Sequence, residues 1–145
     1  MIYFDTSYLV RLYMDEPGAT EVRDLAASDN IACALHGQAE MLAAFHRKLR
    51  ERAIRPAAYS ILLDQFHAHN EAGAFQWLAP GTEEFGRVND VYATLPSNVF
   101  LRGADAIHLA TAAESGFHTI YSNDRHLLAA ARYFGVHGKN VIRSN

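Results

Sequence analysis

Four acidic residues stand where the sequence pattern changes from strand to helix, or where a helix begins: Asp5, Glu40, Asp105 and Asp124. In an open α/β sheet, such junctions gather at one edge, where ligands bind. Carboxylates that are brought together repel each other, and two charges roughly 4 Å apart cost about 4 kcal/mol at an effective dielectric of about 20. Such a cluster is stable mainly when it holds a hard cation such as Mg²⁺ or Mn²⁺. The four acids therefore predict a metal site and metal-dependent chemistry on a phosphate ester.

Each acid also has a simpler, purely structural interpretation. Asp5 and Asp124 are suitable N-caps, and a glutamate in a first helical turn, as at Glu40, complements the helix dipole. Asp105 is harder to explain in this way, because it begins an almost wholly apolar helix where an unpaired carboxylate is costly. No single acid indicates a metal, so the prediction depends on the joint placement of all four.

Strand-like and helix-like segments alternate along the chain. Strands are predicted at the apolar runs 2–4, 31–34, 75–78 and 119–121, with a short edge strand at 141–142. Helices are predicted over residues 7–14, 19–27, 38–52, from 56 onward, 85–95, 104–113 and 124–133. The alternation predicts an α/β fold, in which helices cover a mostly parallel central sheet of 4–5 strands.

Composition places the chain among ordinary globular proteins. Its 145 residues, of which 50% are hydrophobic and 20% charged, are enough for one compact domain, and no linker or repeat divides them. We therefore expect a single domain over residues 1–145. The lone Cys33 excludes an internal disulfide, and no segment approaches the roughly 20 apolar residues of a membrane helix. Both features favour a cytoplasmic protein. The net charge of −3 argues mildly against broad nonspecific binding of nucleic acid.

Four stretches of the chain resemble the PIN-domain nucleases, especially the VapC-type ribonuclease toxins of bacterial toxin–antitoxin pairs. These stretches are Tyr3–Ser7, Ala39–Leu42, Leu101–Ala112 and Ile120–Leu127. Their order and spacing match across essentially the whole chain, and the two C-terminal stretches are the most specific. The resemblance implies a PIN-like, three-layer α/β/α fold.

The resemblance also implies roles for individual residues. All four acids are implied to be catalytic: Asp5, Asp105 and Asp124 as ligands of one or two Mg²⁺ or Mn²⁺ ions, and Glu40 as a ligand or as the residue that positions the attacking water. Small hydroxyl residues are implied to orient a carboxylate or a metal-bound water: Thr6, Ser7 and Ser122. One departure from the family pattern is His36-Gly37, where relatives often carry Ser or Thr.

The implied activity is hydrolysis of RNA phosphodiester bonds by a metal-activated water, leaving 5′-phosphate and 3′-hydroxyl ends. The implied partners are an RNA substrate, an antitoxin protein that covers the site, and a second copy of the chain in a homodimer. Arg102 lies near Asp105 in the sequence and is a candidate for binding a substrate phosphate. A surface ion pair is the alternative role for this arginine.

Two other functions remain open at this point. A phosphatase-like hydrolase with Asp5 as a covalent nucleophile requires a second acid two residues later, but Ser7 occupies that position. The other is a catalytically silent binding module that acts only in antitoxin complexes. The complete acid set argues against it.

Overall fold

A five-stranded parallel sheet is the centre of the fold in the computed structural model, which describes residues 1–144. The strands are β1 (Ile2–Phe4), β2 (Ile31–Ala34), β3 (Phe75–Leu78), β4 (Thr119–Tyr121) and β5 (His137–Lys139). Their order is β3-β2-β1-β4-β5, and every neighbouring pair is parallel. The carboxyl ends of all strands therefore meet at one edge, with β1 in the middle.

Helices cover both faces of this sheet, as the expected three-layer arrangement requires. They are α1 (Thr6–Val10), α2 (Ala19–Ala26), α3 (Gly37–Arg50), α4 (Pro56–Glu71), α5 (Thr82–Thr94), α6 (Gly103–Glu114) and α7 (Arg125–Ala130), which continues as a 3₁₀ turn over Ala131–Phe134. Within residues 1–144, no helix is long and apolar enough to cross a membrane.

The sheet separates two hydrophobic clusters, and the alternation of side chains along β1 contributes to both. Tyr3 packs on one face with Leu109 of α6, while Phe4 packs on the other with Met41 and Phe45 of α3. All five side chains are fully buried. Successive residues of a strand point to opposite faces, so even this three-residue strand anchors both layers.

The fifth strand is not where the sequence predicts it. The predicted edge strand at 141–142 is wrong, and β5 instead pairs with β4 in a register that places His137 opposite Thr119. Val141 packs against the cluster that contains Phe4, and its backbone N–H donates to the Tyr8 hydroxyl at 2.7 Å. The apolar pair 141–142 therefore reflects burial under the N-terminal helices rather than strand pairing.

Two predicted helices are also shorter than expected. The helix predicted over 7–14 ends at Val10 and continues as turns. The helix predicted over 124–133 begins after Asp124 and changes to a 3₁₀ turn at Ala131. That turn ends at Gly135, whose φ of 72° is in the left-handed region that glycine adopts without strain.

Gly37 offers a test of how closely α3 packs on the sheet. A Cβ at this position would lie 2.7 Å from Cys33 Sγ and 3.3 Å from a Trp77 ring carbon. We expect Gly37→Ala to lower the free energy of unfolding by about 1–3 kcal/mol through overpacking. Urea denaturation of the purified variant measures this change.

Gly86 provides the matched control for this test. It lies exposed within α5, and a Cβ there would meet no atom within 4 Å. Gly86→Ala should therefore raise the free energy of unfolding by about 0.5–1 kcal/mol, because alanine favours the helix. Equal stability of both variants would show that the packing of α3 against Cys33 has room for a methyl group.

Candidate active site

The four acids lie at the carboxyl edge of the sheet. Asp5 directly follows β1, and Asp124 follows β4 after a two-residue connection. Glu40 lies in the first turn of α3, which leaves the end of β2. Asp105 lies in the first turn of α6, and this helix leads back into β4 so that its N-terminus reaches the same edge. Strand order and chain direction thus bring together residues that are far apart in sequence.

Asp5 is buried and its two carboxylate oxygens are held by serine hydroxyls. Ser7 donates to Oδ1 at 2.6 Å, and Ser122 donates to Oδ2 at 2.5 Å. The backbone N–H of Tyr8 also donates to Oδ1, at 3.2 Å, so that Asp5 caps α1 as well. Burial raises the pKa of Asp5, and the two serine hydrogen bonds oppose this shift. The carboxylate is therefore fixed in orientation, and a nearby positive charge would stabilise its ionised form.

Ser7 and Ser122 also connect Asp5 to the loop that carries Asp124. The backbone N–H of Asp124 donates to Ser122 Oγ at 2.9 Å, and that of Asn123 donates to Ser7 Oγ at 2.9 Å. Both hydroxyls thus accept from the β4–α7 connection while donating to Asp5. The structure places Ser7 and Ser122 where residues that orient a carboxylate are expected.

A guanidinium group lies between two of the carboxylates. Arg102 Nε donates to Asp105 Oδ2 at 3.1 Å, and its Nη2 donates to Asp124 Oδ2 at 2.8 Å. Burial raises the pKa of Asp105, while Arg102 opposes the shift. The Arg102 side chain is 59% exposed, so that it can leave without disturbing the core. This part of the site therefore stabilises a positive charge at an exposed position.

Glu40 is held by the third predicted hydroxyl residue and by a histidine. Thr6 Oγ1 donates to Glu40 Oε1 at 2.9 Å, and His108 Nε2 lies 2.6 Å from the same oxygen. Thr6 thus contacts Glu40 and not the adjacent Asp5. Burial alone would raise the pKa of Glu40, but His108 and Thr6 outweigh it and hold the pKa below its usual range. Glu40 is therefore kept ionised.

His108 is buried and hydrogen-bonded, as its place in an apolar helix suggests. Its Nδ1 lies 2.8 Å from the Tyr3 hydroxyl, which accepts from the backbone N–H of Ala34 at 3.0 Å. A role of this histidine in holding Glu40 was missed at the sequence level. The available signal was its position one turn after Asp105.

The oxygen donors suit a hard divalent cation, although they do not form a closed cage. Carboxylates and hydroxyls are the ligands that Mg²⁺ and Mn²⁺ prefer, and Arg102 already places a cation between Asp105 and Asp124. Within the described residues, however, one trio of His, Cys, Asp or Glu side chains has ligand atoms all within 4.8 Å of one another: His36, Glu40 and His108. The four acids therefore share one edge of the sheet without converging that closely. Ser122 and Arg102 connect Asp5, Asp124 and Asp105, whereas Glu40 is held separately by Thr6 and His108.

Comparisons with known proteins agree with this geometry. A family model described as PIN domain matches residues 2–133. Among solved structures, the chain is similar to the crystal structure of VapBC2 from Rickettsia felis bound to a DNA fragment from their promoter, with 14% identity and a TM-score of 0.66. That match covers 97% of this chain and 98% of the other. At this identity the likeness shows the fold alone. The comparison with curated proteins finds no match.

Proposed function

Because the chain belongs to the PIN-domain family, we propose that it is a metal-dependent endoribonuclease and the toxin of a toxin–antitoxin pair. PIN domains are generally nucleases and generally use divalent metal ions. The observation that carries the proposal is the carboxylate network at the sheet edge, in which Arg102 supplies a displaceable positive charge between Asp105 and Asp124.

In this proposal, the acids and the serines of the network have different roles. Asp5, Asp105 and Asp124 would hold Mg²⁺ or Mn²⁺, which lowers the pKa of a bound water and stabilises charge on the attacked phosphate. Ser7 and Ser122 fix the orientation of Asp5 through the hydrogen bonds at 2.6 and 2.5 Å.

Glu40 and Arg102 act on the reactants themselves. The ionised Glu40 carboxylate, held by Thr6 and His108, is suited to binding the metal or to orienting the attacking water. Arg102 is exposed enough for its guanidinium to bind a phosphate oxygen of the RNA. With these roles, we expect the hydrolysis to leave the 5′-phosphate and 3′-hydroxyl ends that the family resemblance implies.

The proposed partners are an antitoxin protein, an RNA substrate and a second copy of the chain. The similar solved structure is of VapBC2 bound to a promoter DNA fragment, which supports a partner of the antitoxin class. We further propose that residues 1–145 form one domain and that the protein acts in the cytoplasm.

A cleavage assay tests the proposed function directly. Purified protein is incubated with end-labelled single-stranded RNA in the presence of Mn²⁺ or of a chelator. We expect cleavage with Mn²⁺, none with the chelator, and products that carry 5′-phosphates. Cleavage in the presence of the chelator would contradict the metal-dependent mechanism. Hydrolysis of small phosphomonoesters without RNA cleavage would favour the phosphatase, and binding of an antitoxin without any hydrolysis would favour the silent module.

Arg102→Gln is expected to strengthen Mn²⁺ binding at the acidic site. The guanidinium competes with the metal for Asp105 and Asp124, and exposed ion pairs are worth about 0.2–1 kcal/mol each. The dissociation constant for Mn²⁺ should therefore fall by about fivefold, while the KM for RNA rises because a phosphate contact is lost. Electron paramagnetic resonance of free Mn²⁺ measures the first effect.

Arg50→Gln is the control for this prediction, since it removes the same charge from an exposed position at the end of α3. Its dissociation constant for Mn²⁺ should equal that of the wild type. A weaker Mn²⁺ affinity in Arg102→Gln would show that the arginine organises the carboxylates and does not compete for them.

A further inference from the structure

Two histidines flank Glu40 on the side away from the Arg102 ion pairs. His36 immediately precedes α3, and Glu40 follows it by four residues on the same face of the helix, with His36 Nε2 at 3.6 Å from Glu40 Oε1. His108 reaches the same oxygen from α6, at 2.6 Å. The ligand atoms of all three side chains lie within 4.8 Å of one another. Two imidazoles and a carboxylate thus converge from two helices.

Both imidazoles are anchored through one nitrogen. His108 is 1% exposed, and the buried Tyr3 hydroxyl holds its Nδ1 at 2.8 Å, which turns Nε2 toward Glu40. His36 Nε2 lies 3.0 Å from the Ala104 carbonyl oxygen, which can only accept, so this nitrogen carries the proton. For His108, the bonded Nδ1 leaves Nε2 facing Glu40, as in histidines that ligate a metal. For His36, the Nε2 atom that faces Glu40 is the one bonded to Ala104, so a metal would replace its proton and this bond.

The second nitrogen of His36 is unsatisfied. Its Nδ1 is buried and has no hydrogen-bond partner among the described residues. With the proton on Nε2, this nitrogen carries a lone pair, and a buried acceptor without a donor costs about 1–3 kcal/mol. The hydrogen bonding of His36 is therefore incomplete in the arrangement without a metal.

We propose that His36, Glu40 and His108 form a binding site for a borderline divalent cation of the zinc class, separate from the hard-cation site of the carboxylates. Two histidines, one glutamate and a water are a four-coordinate ligand set typical of Zn²⁺. Mg²⁺ prefers oxygen ligands alone, so the imidazoles select against it. The set leaves one coordination position open to water.

The shared Glu40 gives this site a consequence for catalysis. Zn²⁺ bound by the histidines engages the carboxylate that, in the proposed nuclease, orients the attacking water. Zn²⁺ should therefore inhibit RNA cleavage supported by Mg²⁺. This consequence rests on the proposed function, whereas binding of Zn²⁺ does not.

Calorimetric titration with Zn²⁺ in excess Mg²⁺ tests the site without reference to activity. We expect one Zn²⁺ per chain in the wild type and an affinity at least about tenfold weaker in His36→Gln and in Glu40→Gln. Both substitutions leave the fully buried His108 in place, so that the core is preserved. Co²⁺ as a probe should give the intense visible absorption of a four-coordinate site in the wild type and lose it in His36→Gln.

The chain offers a matched control in α4. His67 and Glu71 are exposed and have the same four-residue spacing, with His67 Nε2 at 3.9 Å from Glu71 Oε1. Within residues 1–144, no third His, Cys, Asp or Glu ligand joins this pair. His67→Gln and Glu71→Gln should bind Zn²⁺ like the wild type. Unchanged Zn²⁺ affinity in His36→Gln, or an equal loss in the α4 variants, would overturn the site.

Inhibition is then measured separately on RNA cleavage. Zn²⁺ should inhibit the wild type at concentrations that leave His36→Gln active. If Zn²⁺ binds as expected but no cleavage occurs under any condition, the proposed nuclease fails while the metal site stands. If cleavage occurs but His36→Gln binds Zn²⁺ like the wild type, the metal site fails while the nuclease stands.

Discussion

Asp5→Asn is expected to reduce RNA cleavage by about 10³-fold, equal to about 4 kcal/mol of transition-state stabilisation. The buried carboxylate supplies the negative charge that two serines orient at the centre of the network. Asparagine keeps the shape and can still accept from the Tyr8 N–H as a helix cap, so the fold should be retained. The measurements are single-turnover cleavage with Mn²⁺ and the melting temperature of each protein.

Asp105→Asn is expected to behave in the same way, because it removes the charge that Arg102 and a metal would share. Asp64→Asn is the control: this residue is exposed on α4, and its loss should change neither activity nor melting temperature. Full activity of Asp5→Asn and Asp105→Asn would refute the assignment of these carboxylates to the metal.

Tyr3→Phe should produce the largest loss of stability among the conservative substitutions considered for this chain. Its hydroxyl accepts from the Ala34 N–H at 3.0 Å and lies 2.8 Å from His108 Nδ1, all in the fully buried core. Removing one oxygen leaves two buried polar groups without a partner, at about 1–3 kcal/mol each. The free energy of unfolding should therefore fall by about 2–4 kcal/mol, as measured by urea denaturation.

Tyr92→Phe is the control for this substitution. Its hydroxyl donates to the Leu101 carbonyl oxygen at 2.6 Å, but the side chain is exposed and water can replace the bond. The cost should stay below about 1 kcal/mol. Equal losses in the two variants would mean that His108 and Ala34 find other partners when Tyr3 loses its hydroxyl.

The hydrophobic pattern of the sequence predicted the strands that contain a short apolar run and the helices that carry an apolar stripe. The strand runs 2–4, 31–34, 75–78 and 119–121 coincide with β1 to β4. The central β1 and β2 are apolar throughout, as expected of parallel strands covered on both faces, whereas β3 and β4 contain the polar Gln76 and Thr119. β5 was missed because its sequence, His-Gly-Lys, has no apolar pattern. It is a strand because the backbone of β4 offers hydrogen bonds, and a pattern of side chains does not contain that information.

Some features of the candidate site could likewise be predicted from the sequence, and others could not. The positions of the four acids at the sheet edge follow from strand order, and strand–helix junctions are visible in the sequence. The contacts of Glu40 are not visible there, since His108 lies 68 residues away and approaches only through the packing of α6 on the sheet. Arg102 was foreseen near Asp105, but its second bond, to Asp124, depends on how two loops meet.

The central position of β1 affects when, during synthesis of the chain, the site around Asp5 can form. Asp5 is synthesised early, but its hydrogen-bond partner Ser122 follows 117 residues later. At about 5–20 residues per second, synthesis of that interval takes roughly 6–25 s. A nascent or stalled chain without β4 lacks one of the two strands that pair with β1 and one of the two serines that orient Asp5. If the protein is the proposed nuclease, a chain that still lacks β4 should therefore be inactive, and the translating ribosome and its message should not be exposed to an active enzyme that is still being made on them.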